Sequence, residues 1–148
     1  MDKVIKFEIV TPEKTVLKED IVEVTIPTEE GELTILPEHT PLVATLKPGV
    51  LVLKKADGSQ DVVFIAGGFL EVLRNKIVVL ADTAERAENI NEAKVEEARA
   101  RAEKDMKEVR HEDAQEFARI AAQLEHELAK TRALNRWRHL KNNFAIYK

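Results

Sequence analysis

The chain has 148 residues, a net charge of −4 and 44% hydrophobic residues, a composition typical of one or two small folded units. The absence of cysteine excludes thiol nucleophiles, disulfide bonds and thiolate metal sites. The acidic balance argues against general nucleic-acid binding, because contacts to phosphate need a basic surface.

The first half of the chain has the pattern of short β-strands. Apolar and polar residues alternate in residues 5–9 and again in residues 22–26, which is typical of strands with one buried face. Eight or more such runs are separated by turn signals such as Asp57-Gly58. Parallel neighbours need a connection of about a dozen residues, so we expect antiparallel pairing. The predicted product is a β-sandwich.

Two adjacent glycines, Gly67 and Gly68, interrupt the longest apolar stretch, which runs from Val62 to Leu70. They lack the Gly-Lys-Ser/Thr end of a phosphate-binding loop and follow a strand pattern. We therefore predict a bulge or a tight turn at this point. The stretch is also too short to cross a membrane.

The second half of the chain has the pattern of two helices. All five glycines and all five prolines lie before residue 70, and the second half is rich in alanine. Asp113 suits the N-cap of the second helix. We expect an antiparallel hairpin whose alanine-rich seam buries little apolar area, so that it could detach or rearrange. Two apolar stripes at helical spacing define its helices, namely Val95, Ala98, Ala102, Met106 and Val109, then Phe117, Ile120, Leu124 and Leu128.

The change in composition predicts a domain boundary between Leu80 and Asn91. We assign residues 1–84 to a β-sandwich domain and residues 85–148 to a helical hairpin domain. The predicted fold class is therefore α+β, with an N-terminal antiparallel β-sandwich followed by a C-terminal two-helix antiparallel hairpin.

The end of the chain is basic, because residues 131–148 hold five cationic side chains and no acidic ones. Three explanations are open: favourable charge at a helix C-terminus, an acidic protein partner, or nucleic acid. The five residues are Arg132, Arg136, Arg138, Lys141 and Lys148.

No group of residues has the spacing of a catalytic or metal site. The histidines, at positions 39, 111, 126 and 139, form no HExxH pair. The one serine, Ser59, lacks the flanking glycines of a nucleophile elbow. An independent enzyme with a site in the sandwich would need acids or a metal that the sequence does not display.

Three stretches of the sequence resemble the epsilon subunit of bacterial F-type ATP synthases. They are residues 31–42 with the Leu-Lys-Pro-Gly end at 46–49, residues 67–72, and residues 81–88. They occur in the family's order over essentially the whole chain. The resemblance implies a β-sandwich, a helical hairpin and a non-catalytic place in the rotor, beside the gamma subunit and the ring of c subunits.

The resemblance also implies contact residues. Glu32 and His39 match the loop that faces the c ring in the family. In bacterial relatives the hairpin can extend along gamma into the catalytic head, which the alpha and beta subunits form. Extended helices there block rotation and ATP hydrolysis. Basic residues of the second helix then meet an acidic segment of beta. The matching residues here are Lys130, Arg132, Arg136 and Arg138.

Some relatives bind ATP through an Ile/Leu-Asp-x-x-Arg-Ala motif, and this chain departs from it. The acid is replaced by asparagine, and lysine replaces the arginine whose planar guanidinium contacts phosphate. We therefore expect no cofactor and weak or absent ATP binding. A stand-alone ATP-sensing module is the alternative function. The residues of this degenerate ATP site are Glu85, Ile90, Asn91, Lys94 and Arg101.

The N-terminus carries charged residues within positions 1–10 and does not have the pattern of a signal peptide. We expect no direct insertion into the membrane. The resemblance implies a peripheral location at the cytoplasmic face of the bacterial cell membrane.

Overall fold

The computed structural model describes the backbone of residues 3–146 and the side chains of residues 3–143. Within these residues, eight strands precede a short 3-10 helix, Ala87–Asn89, and two α-helices. The strands are β1 (Ile5–Val10), β2 (Thr15–Ile21), β3 (Glu23–Thr28), β4 (Gly31–Ile35), β5 (Leu42–Thr45), β6 (Gly49–Lys54), β7 (Gln60–Val72) and β8 (Lys76–Arg86). The α-helices are α1 (Glu92–Glu108) and α2 (Ala114–Ile146).

The strands form two packed layers because β7 and β8 each pass from one layer to the other. The strand order is β2-β1-β8-β7-β6-β3-β4, with β5 also beside β7. β7 pairs with β6 through residues 60–65 and with β5 through residues 69–72. The first layer holds β1, β2 and β5 with residues 69–72 of β7 and 76–80 of β8. The second layer holds β3, β4 and β6 with residues 60–65 of β7 and 84–86 of β8. The core between the layers includes Phe7, Ile9, Ile21, Ile26, Leu51, Ile65, Leu70 and Ile77.

The predicted antiparallel β-sandwich is confirmed as the architecture, with one exception in the pairing of strands. β1 and β8 run parallel, and Phe7 pairs with Ile77. The expectation of antiparallel pairing rested on short connections between consecutive strands. Because six strands separate β1 from β8, that argument does not apply to this pair.

The passage between layers lies at Gly67 and Gly68, which have φ values of 72° and 100°. A Cβ atom on Gly68 would lie 2.9 Å from the Cα of Ala81, so a side chain does not fit. Ala66 pairs with Thr83 and Gly68 with Ala81, so neither strand has an extra residue. The predicted bulge or tight turn is wrong, because β7 continues through the two glycines.

α1 and α2 form the predicted antiparallel hairpin, in which α2 packs on β6 and β7 of the second layer and α1 packs mainly on α2. The side chain of Asn91 caps α1 by accepting a hydrogen bond from the Lys94 N–H at 3.1 Å. Asp113 accepts from the Glu116 N–H at 3.1 Å and caps α2, as predicted. The apolar contact between hairpin and sheet includes Val62, Phe64, Ala66, Ala87, Ile90, Val95, Ala129, Ala133 and Leu134.

The division into domains at residues 84 and 85 stays a prediction. β8 continues to Arg86, and the 3-10 helix follows it directly. None of the helices in the part of the chain that the structure describes is both long and apolar enough to cross a membrane.

Candidate interaction surfaces

Two of the basic residues predicted to contact the catalytic head are paired with acids of this chain. Lys130 Nζ lies 3.7 Å from Glu85 Oε2 on β8. Arg138 donates a hydrogen bond to Glu92, the first residue of α1. This hydrogen bond from Arg138 holds the pKa of Glu92 below its usual range. Both pairs lie near the surface, so solvent screens them and their hold on α2 is weak.

The other two, Arg132 and Arg136, line a groove of about 370 Å³ between α2 and the second layer. Glu23 on β3 and Glu32 on β4 line the same groove. Two of the four predicted contact residues of α2 are therefore paired with carboxylates of their own chain, and the other two share a groove with carboxylates. Lys148, the last residue of the predicted basic end, lies outside the described residues.

Glu32 and His39, the two predicted c-ring contacts, lie on different elements. Glu32 is exposed on β4 and borders the groove. His39 lies in the loop of residues 36–41, where its Nδ1 donates to the Thr40 carbonyl at 2.7 Å. Their role stays a prediction.

The loop that contains His39 lies at one end of the sandwich. Glu38, with a φ of 64°, places its carboxylate 2.8 Å from Lys3 Nζ. The hydrogen bond from Lys3 holds the pKa of Glu38 below its usual range. The Lys6 N–H donates to the Asn75 carbonyl at 3.0 Å, so the chain start and the β7–β8 turn meet here.

Three exposed apolar side chains lie at this end: Val4, Leu36 and Leu73. Val4 precedes β1, Leu36 follows β4, and Leu73 opens the β7–β8 turn. The surface therefore combines apolar side chains with the polar loop. Protein interfaces typically combine apolar side chains with polar ones and bridging water molecules.

The outer face of the first layer carries an apolar patch that the sequence analysis missed. Val43 is 73% exposed, Phe69 56% and Leu80 48%. Phe69 pairs directly with Leu80 across β7 and β8, and Val43 lies on the adjoining strand opposite Glu71. We name these three apolar residues the outer patch. Exposed apolar side chains clustered on a sheet face favour a contact surface.

Four of the five residues of the degenerate ATP site are engaged in other contacts in this structure, Glu85 among them through its pair with Lys130. Ile90 is buried under α2, and Asn91 is occupied as the cap of α1. Arg101 pairs with Glu97 on its own helix at 3.0 Å. It lies about 15 Å along the helix axis from Asn91, at about 1.5 Å per residue. Residues 3–143 hold no group of three or more His, Cys, Asp or Glu side chains arranged to bind a metal ion.

Sequence comparison relates the chain to one family. A profile described as "ATP synthase, Delta/Epsilon chain, beta-sandwich domain" matches residues 4–87. The ATP synthase epsilon chain of Dichelobacter nodosus is 40% identical over 134 residues, which cover 88% of this chain and 94% of that protein. The epsilon chain of Bordetella petrii is 36% identical over 138 residues, which cover 93% of this chain and 96% of that one.

Two solved structures have a similar fold. A chain of the Euglena gracilis mitochondrial ATP synthase, from a structure of OSCP, F1 and the c-ring, aligns with a TM-score of 0.78 and 25% identity. The alignment covers 88% of this chain and 81% of that one. A chain from the central stalk and c-ring of the Tetrahymena thermophila enzyme aligns with a TM-score of 0.62 at 17% identity, over 88% and 96% of the two chains. The chain belongs to the ATP synthase delta/epsilon chain family, which confirms the resemblance to bacterial epsilon subunits seen in its sequence.

Proposed function

We propose that this chain is a non-catalytic subunit of the central stalk of an F-type ATP synthase, held peripherally at the cytoplasmic face of a bacterial membrane. It couples ion translocation to ATP synthesis through its sandwich. Its C-terminal helices inhibit ATP hydrolysis. The observation that supports this best is that Lys130 and Arg138, two of the four predicted head-contact residues of α2, pair with acids of their own chain in the compact hairpin.

The sandwich attaches the chain to the rotor through two surfaces. The outer patch of Val43, Phe69 and Leu80 is suited to bury apolar area against the gamma subunit. The end of the sandwich with His39 faces the c ring, and Glu32 contributes from the neighbouring strand. Both polar side chains suit an interface that keeps water.

The hairpin is built so that it can leave the sheet. Ala129 and Ala133 of α2 are fully buried but contribute little apolar area each. Glu127 is 5% exposed, and Gln123 Nε2 donates to its carboxylate at 3.0 Å. A buried carboxylate costs free energy that one amide does not fully offset. The contacts that bury α2 are therefore weaker than apolar contacts of equal area.

When α2 is released, its basic residues exchange the acids of their own chain for acids of another subunit. The helix has 33 residues and is about 50 Å long at about 1.5 Å per residue, which is enough to reach into the catalytic head. There the basic residues bind an acidic segment of the beta subunit in place of their own acids. Rotation, and with it ATP hydrolysis, is then blocked.

The chain has no cofactor in this proposal, and it binds ATP weakly or not at all. Asn91 offers no carboxylate, and Lys94 has no planar guanidinium for bidentate contact with phosphate. Regulation by ATP therefore does not act through this chain.

The test replaces the basic residues of α2 by alanine and measures ATP hydrolysis by the matching catalytic head. The chain concentration for half inhibition should rise about thirtyfold or more, because truncating one partner of a buried charge pair at an interface costs about 2–5 kcal/mol. Unchanged inhibition would contradict the proposal. The four residues are Lys130, Arg132, Arg136 and Arg138, and the control replaces as many basic residues elsewhere on the hairpin, namely Lys104, Lys107, Arg110 and Arg119.

A further inference from the structure

His126 lies where α2 rests on the sheet. Its ring packs edge-on against Phe64 of β7, with ring centroids 4.8 Å apart and an interplanar angle of 77°. Phe64 is fully buried and pairs with Glu85 across β7 and β8. One turn along α2, Lys130 places its Nζ 5.6 Å from the centre of the same Phe64 ring and 3.7 Å from Glu85. His126 and Lys130 therefore both contact one strand pair.

The surroundings of His126 disfavour its charged form. Burial lowers the pKa of His126, and the positive charge of Lys130 lowers it further. Glu127 on α2 and Glu85 on β8 act in the opposite direction but do not outweigh these effects on the pKa. Phe64, the contact from β7, carries no negative charge that would pair with an imidazolium.

We propose that His126 makes the attachment of α2 to the sandwich sensitive to pH, so that protonation of its imidazole favours release of the hairpin. The attached state holds the neutral ring against Phe64. The released state leaves the ring in water, where it accepts a proton at the ordinary value of about 6.5. Release of the helices is thereby coupled to uptake of one proton.

The direction of the pH effect follows from the linkage between proton uptake by His126 and release of the hairpin. When a group has a lowered pKa in the attached state, the attached state is fully stable at a pH above the ordinary pKa of that group. It loses stability as the pH falls below that pKa. The equilibrium constant for release should therefore rise below about pH 6.5, by at most about tenfold per pH unit for one proton. Whether release then inhibits ATP hydrolysis rests on the proposed function, but the release itself does not.

Hydrogen exchange of the full chain tests this without activity. Exchange is followed between pH 5.5 and 8 and corrected for the intrinsic pH dependence of amide exchange. Protection of α2 relative to β7 should fall several-fold towards pH 5.5. His126→Gln and His126→Phe should both remove this pH dependence. The His126→Phe variant keeps an aromatic ring in contact with Phe64. His139→Gln, a change at an exposed histidine of the same helix, should retain it.

Two results would overturn the proposal: no pH dependence in the unmodified chain, or the same dependence in both His126 variants. If both variants release the hairpin already at pH 8, the NMR titration of His126 in the unmodified chain decides. A midpoint below about 6.5 supports the proposal, and a midpoint at or above it contradicts the proposal.

Discussion

Arg138 of α2 donates a hydrogen bond to Glu92, the first residue of α1. The bond joins the two helices at the end of the hairpin where the chain passes from the sheet into α1. The same arginine is one of the residues predicted to bind the catalytic head. A single side chain therefore stabilises the compact hairpin and, in the proposed function, also makes the inhibitory contact. The two states compete for it.

Glu92→Gln should favour release of the helices, because the amide leaves Arg138 without its carboxylate. We expect faster hydrogen exchange in α1 and somewhat stronger inhibition of ATP hydrolysis. The effect should be small, since the pair lies at the surface. Glu97→Gln is the matched control, because its partner Arg101 lies on the same helix. Equal effects of both changes would contradict a role for the pair between helices.

The same pair predicts a second pH window, separate from that of His126. The hydrogen bond from Arg138 lowers the pKa of Glu92. The pair therefore stabilises the hairpin at a pH above the ordinary pKa of a glutamate, and this stabilisation is lost as the pH falls through the lowered pKa. Glu92→Gln should therefore flatten the pH dependence of hairpin exchange only below about pH 4.5. Flattening near neutrality would contradict this assignment.

Gly68→Ala should destabilise the sandwich strongly. The new Cβ would lie 2.9 Å from the Cα of Ala81, and the φ of 100° strains any residue with a side chain. We expect a loss of more than about 2 kcal/mol in urea unfolding, because strain and overpacking add. Gly58→Ala is the control, since Gly58 has a positive φ with no atom near its Cβ position. Its cost should be about 1–2 kcal/mol.

Phe69→Ala and Leu80→Ala should weaken binding to the gamma subunit. Both side chains are about half exposed, so their truncation should change the free energy of unfolding little. Central apolar residues of an interface each contribute about 1–2 kcal/mol or more to binding. Titration calorimetry with gamma measures the loss, and Leu128→Ala, an exposed apolar residue on α2, is the control. Unchanged affinity would exclude the outer patch as the gamma contact.

Asn91→Asp combined with Lys94→Arg restores the charged residues of the ATP-binding motif. Aspartate still caps α1, so the helix should not lose stability. We expect ATP affinity to rise in calorimetry, because a guanidinium contacts phosphate through two parallel hydrogen bonds. Lys104→Arg controls for a general effect of arginine. Micromolar ATP binding by the unmodified chain would contradict the expectation of weak binding.

Local patterns in the sequence predicted the elements well. Alternation in residues 5–9 and 22–26 marked strands that the structure contains, and Asp113 caps α2 as expected. These features depend on residues close in sequence. The parallel pair of β1 and β8 depends on how the sandwich closes, which local alternation does not encode.

The candidate surfaces were harder to predict for a similar reason. Phe69 is exposed although Phe64 on the same strand is fully buried, because the hairpin packs on Phe64. The pairing of Lys130 with Glu85 joins residues far apart in the chain. Sequence alone indicated the charges but not their partners in the compact hairpin.

The most direct test compares ATP hydrolysis by the matching catalytic head with the full chain, with a chain that ends at Ala87, and with neither. Gel filtration must first establish that both forms bind. If the sandwich attaches the subunit and the helices inhibit, both forms bind and only the full chain lowers the rate of hydrolysis. Equal rates with both bound forms would contradict an inhibitory role for the helices.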